Sequence, residues 1–345
     1  MRNILVVALY LFSSSPVIAQ EAVARFASDE GQFSTELLVR STTDIVILQP
    51  ALEAFVSANP AIAISYEQWG SNALYDNSLT ACDFTSGEAD AVFSSAVHQM
   101  VDLVNRACAS PYISDLTTAL PATRIWRNEL WGITFEAAVI IYNTALVPEA
   151  DIPRTRFALL DLMRRPDSAY NGKIATYDIE ASGLGYLFAF MDSLEATTFG
   201  ALLEGFARTD AVATCCSAEI IKGVADGRYL FAYNVLGSYV DSVSSGDIGV
   251  IHPEDYTLFL SRAYMIPKGA AHKAEAALLL DFLLSDQGQD ILAASNLVER
   301  RDSEVSNLSE SAQRAIAIEP TLLVARDQHR RMRFIEQWRS AFGVE

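Results

Sequence analysis

The chain has 345 residues, more than the ~250–300 at which a single hydrophobic core stops growing, so two domains are expected. Its hydrophobic fraction of 51% excludes an intrinsically disordered chain. The net charge of −18, from 43 acidic against 25 basic residues, supplies no basic stripe to neutralise phosphates and so excludes a nucleic-acid binder.

Arg2 precedes an apolar run from Ile4 to Phe12, followed by Ser13-Ser14-Ser15-Pro16 and Val17-Ile18-Ala19. A charged start, a short apolar middle and small residues before a cut after Ala19 read as a cleavable signal peptide over residues 1–19. The apolar run is too short to span a bilayer. The mature chain is therefore expected in the periplasm, an oxidising compartment. Cys82 and Cys108 fall in one lobe of the expected fold, and a disulfide between them is expected. The adjacent Cys215 and Cys216 leave three arrangements open: a vicinal disulfide, pairing elsewhere, or two thiols.

Three similar units follow. Glu36–Arg40 reads as a strand, Ser41-Thr42-Thr43-Asp44 as a loop, and Ile45, Leu48, Leu52 and Phe55 as one helix face ended by Asn59-Pro60. The β-branched alternation of Ala61–Glu67 leads into Trp69-Gly70-Ser71-Asn72 and a helix through Leu79. Ala89–Phe93 leads into Ser94-Ser95 and a helix carrying Val97, Val101 and Val104. Strand, polar loop and helix in repetition mark βαβ units and a parallel sheet.

The run Leu130–Asn143 carries Glu136 inside an otherwise apolar stretch, which reads as a segment crossing between two lobes. Alternation then resumes: helices at Arg156–Met163 and Ser182–Leu194, strands at Lys173–Thr176, Tyr229–Tyr233 and Asp247–Ile251. Ala263–Pro267 reads as a strand returning to the first lobe, Ala271–Ala294 as one or two helices broken near Ser285, and Glu319–Phe342 as a charged amphipathic helix. The predicted architecture is α/β: two lobes, each a mostly parallel sheet flanked by helices, hinged by crossover strands. Residues 28–133 with 258–300 form lobe 1; residues 134–257 with 301–345, including the C-terminal helix, form lobe 2.

Parallel sheets bind ligands beyond the carboxyl ends of their strands. Here those ends are Ser41-Thr42-Thr43, Ser71-Asn72 and Ser94-Ser95, each opening a helix whose first amides are unpaired. The same residue types are good N-caps in their own right. In lobe 2 the counterparts are Ser182-Gly183 and Tyr233-Asn234; of the aromatic residues near these loops, Trp131, Tyr177 and Tyr233 are placed to stack on an organic ligand, while Trp69 reads rather as lobe packing. Catalytic signatures are missing: His98, His252, His272 and His329 are scattered, and the sequence contains no HExxH, GxSxG, GxGxxG or GxxxxGK[ST]. His98 reads as a surface residue. Glu136 and Glu180 could pair for hydrolysis, but nothing in their spacing requires it. A catalytic residue is not expected.

Ser41-Thr42-Thr43-Asp44, Ala54-Phe55 with Asn59-Pro60, and Phe93-Ser94-Ser95-Ala96 resemble the first lobe of the ferric-type cluster of ABC-transporter solute-binding proteins. Trp131-Gly132 with Val139–Asn143 is similar to that family's interlobe segment, and Leu280–Gln289 to its late first-lobe helix. The resemblance covers nearly the whole mature chain. It implies a hinged two-lobe (type II) periplasmic binding fold that holds a small solute in its cleft and presents it to an ABC permease. Ferric members use two neighbouring tyrosines; the matching stretch here, Ala232-Tyr233-Asn234-Val235, has one, so no cofactor is expected, with Fe3+ the alternative. Tyr229–Tyr239 and the basic Asp327–Arg331 resemble the branch that includes the phosphoglycerate transport regulatory protein, which implies a sensor-kinase periplasmic domain as the alternative partner. The expected ligand is a small anion, a phosphate ester or carboxylate. It would be held by the Ser, Thr and Asn loops, Glu136 and an arginine such as Arg262 or Arg124, in a monomer with no enzymatic activity.

Overall fold

Thr35–Ser41 (β2) buries Leu37, Val39 and Ser41 and turns Glu36 to solvent, the period-2 pattern of a strand with one face on a core. In the computed structural model, which describes residues 20–28, 33–84, 87, 89–166, 169–240, 247–299 and 312–343, this strand is central to the first of two sheets. The expected signal peptide lies outside the described residues. In chain order the first half contributes β1 (Gln20–Phe26), β2, α1 (Ile45–Ala58), β3 (Ile62–Trp69), α2 (Ser71–Phe84), β4 (Ala91–Ser94), α3 (Val97–Asn105), the single turn α4 (Asp115–Thr118), β5 (Ile125–Trp126) and β6 (Leu130–Gly132). It continues with β7 (Glu136–Asn143), α5 (Arg156–Arg164), β8 (Ile174–Tyr177), α6 (Gly183–Glu195), α7 (Phe199–Arg208), β9 (Val212–Thr214), α8 (Ser217–Ala225), β10 (Phe231–Leu236), β11 (Ile248–Ile251) and β12 (Thr257–Leu260). The chain closes with β13 (Ala263–Met265), α9 (Lys273–Leu284), α10 (Asp286–Ala294), β14 (Gln313–Ala315) and α11 (Gln328–Phe342).

The first sheet runs β1-β3-β2-β4-β13-β6-β5 and the second β14-β12-β7-β10-β8-β9, with β11 on β7. Each has a parallel part, β3-β2-β4 and β10-β8-β9, made by the βαβ units of the sequence. The strands that carry the chain from lobe to lobe bring in antiparallel pairing: β6 and β13 with their neighbours in the first sheet, and β7 with β10, β11 and β12 in the second, while β12 pairs parallel with β14 on its other side. The sheets are therefore mixed rather than mostly parallel, because each crossover enters its new sheet from the opposite side.

The chain leaves the first sheet after Gly132, enters the second at Glu136, and returns between Leu260 and Ala263. Residues 258–260, expected in lobe 1, lie in β12, which pairs with β7 and belongs to the second sheet. Likewise β1 extends the first sheet ahead of residue 28, as an antiparallel edge strand on β3. The expected C-terminal helix is split. A 3-10 segment at Pro320–Arg326 packs on α3 of the first lobe, then Asp327 accepts from the Arg330 amide (2.9 Å) and starts α11, which packs on α7 of the second. Expected strands and helices elsewhere are present, and Ser285 marks the break between α9 and α10.

Cys82 and Cys108 form the expected disulfide, joining α2 to the end of α3. Closing a loop over a separation of 26 residues is worth about 3.5 kcal/mol in the chain-entropy treatment. Cys215 and Cys216 form a vicinal disulfide, which settles the alternative left open by the sequence.

The two crossovers are tied by one buried pair. Arg262, fully inaccessible, donates from Nε and Nη2 to the two carboxylate oxygens of Glu136 (2.8 and 3.0 Å) and from Nη1 to Thr43 Oγ1 (2.9 Å). Thr134 (2.7 Å) and Ser238 (2.6 Å) donate to the same carboxylate. Burial works against the guanidinium charge, but Glu136 and the Tyr239 phenol outweigh it, and the arginine pKa is raised. Such a pair adds little against a well-packed apolar substitute, but losing one partner strands a charge. Arg262→Met is expected to lower unfolding stability by about 3–5 kcal/mol in urea, and combining it with Glu136→Leu to recover most of that loss. An unchanged urea midpoint for Arg262→Met would show that the pair does not hold the crossovers.

Candidate functional site

Register brings the polar loops together. Ser41 lies beside Phe93 and Gln68 across its two parallel neighbours, so β2, β3 and β4 end at one edge. In the second sheet Tyr177 lies beside Thr214, and β10 runs parallel to β8. The two edges face each other around a cavity of about 410 Å3. Its first-lobe wall includes Thr42, Asp44, Gln68, Trp69, Ser71 and Ser95, with Glu21 from β1. Its second-lobe wall includes Tyr177, Ser182, Leu184, the Cys215–Cys216 disulfide, Ser217, Glu219 and Tyr239. A larger groove, about 840 Å3, lies within the second lobe alone between the end of α6, α7 and α11, where movement of the lobes cannot enclose a solute.

Hydrogen bonds span the cleft at the cavity margin. The Gly183 amide donates to Ser71 Oγ (2.8 Å), and Asn72 Nδ2 donates to the Glu180 and Ala181 carbonyls (2.7 and 3.1 Å). Gln99 Nε2 fixes Asn72 by donating to its Oδ1 (2.7 Å). A Cβ on Gly183 would stand 2.8 Å from Gln99 Nε2, so glycine permits the close approach of the two lobes. Tyr239 and Asp44 add a third bridge, with the phenol donating to Oδ1 at 3.3 Å.

Of the residues expected to bind ligand, Thr42, Ser71, Ser95 and Ser182 line the cavity. Asn72 and Gly183 stand at its margin, bonded lobe to lobe. The rest are brought together elsewhere. Ser41 Oγ accepts from the Thr43 amide (3.0 Å), Ser94 Oγ accepts from the Ala96 amide (3.1 Å), and Thr43 receives Arg262. Glu136 and Arg262 neutralise each other, and Arg124 donates to the Gly132 and Ile133 carbonyls. Trp131 is fully buried beside Tyr112. Tyr233 and Asn234 belong to a buried second-lobe network: the Tyr233 hydroxyl accepts from Arg156 Nε (2.7 Å) and donates to Asp192 (2.8 Å), and Asn234 also donates to Asp192. The strand end that looked like a ligand loop is thus the partner set of Arg156, an interior cation hidden in the helix run Arg156–Met163.

The sequence reading missed Glu21, Asp44, Gln68, Ser217, Glu219 and Tyr239 as lining residues. Asp44 was legible as the residue ahead of α1, and Ser217 with Glu219 as a helix start after a short β run. Glu21 carries no sequence signal, since it reaches the site through the edge pairing of β1.

The expected anion finds no cationic side chain here. Among the described residues the lining holds Glu21, Asp44 and Glu219 and no lysine, arginine or histidine. Two like unit charges about 6 Å apart repel by roughly 3 kcal/mol at an effective dielectric of about 20, so this wall opposes a phosphate ester. Helix-start amides expected to hold an anion are occupied ahead of α1 and α3, though not at Ser71 and Asn72, whose amides have no acceptor among the described residues. Thr42 donates to the Phe93 carbonyl (3.0 Å), Ile45 to Gln68 Oε1 (3.1 Å), and Ser95 to Thr42 Oγ1 (3.0 Å). Burial raises the Asp44 pKa, while Arg262 and the Tyr239 hydroxyl pull it down. Among the described residues no group of three or more His, Cys, Asp or Glu is arranged to hold a metal ion.

The family profile "Bacterial extracellular solute-binding protein" matches residues 41–290. The chain is similar to the crystal structure of the substrate binding protein of the ABC transporter from Agrobacterium tumefaciens: 32% identity, 93% of this chain and 98% of that chain covered, TM-score 0.86. It shares the fold of the periplasmic binding protein AfuA from Actinobacillus pleuropneumoniae, solved with exogenous fructose-6-phosphate bound (15% identity, 90% and 100% covered, TM-score 0.69). It shares the fold also with the ferric binding protein from Campylobacter jejuni (18% identity, 88% and 99% covered, TM-score 0.67). A search of curated protein sequences gives no match.

His98, expected at the surface, is instead buried at 1% exposure where α3 meets α6, its ring tilted against Tyr186 at 5.5 Å between centroids, with no partner for Nδ1 among the described residues. Burial, reinforced by the Arg326 and Arg331 charges, pushes its pKa down to about 3. The unfolded chain protonates this ring below about pH 6.5 and the folded protein does not, so stability present at neutral pH is lost as pH falls toward 3, by at most about 1.4 kcal/mol per unit. Urea unfolding between about pH 6.5 and 5 is expected to show about 2 kcal/mol more loss for the native chain than for His98→Gln. Parallel pH profiles for the two would show that His98 does not set this loss.

Proposed function

The chain belongs to the bacterial extracellular solute-binding proteins, and from that premise we propose that its solute occupies the cavity between the two lobes and is released to a permease in the periplasm. It is a solute-binding component of an ABC transporter, not an enzyme. The observation that carries the reading is the position of the cavity: it lies where the carboxyl ends of both parallel strand sets meet, and hydrogen bonds donated by Asn72 and accepted by Ser71 and Asp44 close over it from lobe to lobe. A solute there is buried by lobe closure and freed by opening, so binding and conformation are one equilibrium.

In this reading the named residues divide into two groups. Thr42, Ser71, Ser95, Ser182, Ser217 and the Tyr177 hydroxyl present adjustable donors and acceptors to the solute. Asn72, Gln99 and Gly183 form the latch that holds the lobes together. Glu136, Arg262, Thr43 and Ser238 hold the crossovers on which the lobes turn. The iron alternative draws no support from Tyr233, which is committed to Arg156 and Asp192 inside the second lobe.

Asn72→Ala removes two interlobe hydrogen bonds, each worth about 1 kcal/mol net. The expected result is a larger radius of gyration by small-angle X-ray scattering for the solute-free variant than for the native chain, with an unchanged melting temperature of the separate lobes. Scattering curves that superimpose would contradict the latch.

A further inference from the structure

The charge of the cavity specifies more than its position does. Resting on the reading that the interlobe cavity is the solute site, the geometry points to a solute bearing a protonated amine or quaternary ammonium group, with that group against Asp44.

Three independent observations support the assignment. First, the carboxylates come from both lobes, Glu21 and Asp44 from one and Glu219 from the other, so closure brings negative charge to the solute from two sides. Second, Asp44 has acceptor capacity to spare. Oδ1 receives only long bonds from Gln68 Nε2 and the Tyr239 hydroxyl, both 3.3 Å, and Oδ2 has no hydrogen-bond partner among the described residues. Third, the groups that would welcome an anion are committed inside the protein. The Asp44 and Ile45 amides face Tyr239 and Gln68, the Gly183 amide faces Ser71, and the guanidinium of Arg262 faces Glu136.

Two helix starts on the cavity are exceptions: α2, whose Ser71 and Asn72 amides have no acceptor among the described residues, and α8, whose flanking residue Cys216 gives it no side-chain cap. The α8 start, at Ser217, lies on the other lobe from Asp44. A zwitterion would place its anionic end there, its nitrogen toward Asp44 across the cleft, and its carbon body along the vicinal disulfide and Leu184. A simple organic cation would use the Asp44 side alone. The ammonium is common to both, and the two are separated by titration.

The test is calorimetric titration of the full mature chain, unfolded and refolded to remove any retained solute, with two cations (putrescine and choline) and a zwitterion (glycine betaine). Inorganic phosphate, fructose 6-phosphate and ferric citrate serve as opposing probes. At least one nitrogen cation is expected to bind, and Asp44→Asn, which keeps the size of the side chain, to weaken it about tenfold or more with an unchanged melting temperature of the solute-free protein. Binding of the zwitterion alone assigns the α8 end a role; binding of the simple cations assigns the Asp44 side. If a phosphate compound binds, no nitrogen cation does, and Asp44→Asn strengthens it, the cavity stands as the site and the ammonium assignment falls. If a cation binds equally to the Asp44→Asn protein, the assignment to Asp44 falls. If neither class binds, the cavity reading falls with it.

Discussion

Arg262 sits where the chain returns from the second sheet to the first, inaccessible to solvent, and its charge is matched there by the carboxylate of Glu136 from the outgoing crossover. A buried guanidinium cannot shed its proton, so it must be paired wherever the fold puts it. Pairing it with the opposite crossover joins the two segments that pass between lobes. The remaining donors and acceptors of the pair reach Thr43 in the first lobe and Ser238 in the second. The hinge is thus an ionic cluster with every strong group satisfied, and the loops that begin α1 and follow β10 are anchored to it.

That commitment shapes the cleft. The arginine best placed to meet a negative solute is spent on the scaffold, and the second interior arginine, Arg156, is held by Asp192, Tyr233 and Asn234 within the second lobe. What faces the cavity is left to neutral polar side chains, the aromatic rings of Trp69, Tyr177 and Tyr239, a disulfide and carboxylates. The fold shared with a fructose-6-phosphate-bound protein and a ferric binding protein presents, in this chain, a wall that carries carboxylates from both lobes. The selectivity of such a fold resides in a few lining side chains rather than in its topology.

Much of the architecture was legible because it is written in periodicity. The three strand-loop-helix units, the crossover marked by Glu136 inside an apolar run, and the return strand at Ala263 follow from hydrophobic spacing alone. The cleft residues Thr42, Ser71, Ser95 and Ser182 were legible because parallel strands end at a common edge. Their neighbours were not: Ser41, Thr43 and Ser94 differ from them by one position, and one position in a turn decides whether a hydroxyl caps a backbone amide or faces the cleft. Pairing was equally silent. No local pattern tells that Arg262 meets Glu136, that Tyr233 meets Arg156, or that Glu21 arrives by edge-strand pairing, since each partner is set by long-range register.

The most direct measurement is a crystal structure of the protein carrying the solute it retains on purification. Density is expected between the lobes, within hydrogen-bonding distance of Asp44 and Ser71, with Arg262 still on Glu136. Density against a released Arg262, or in the groove between α7 and α11 with the interlobe space filled by side chains, would contradict it.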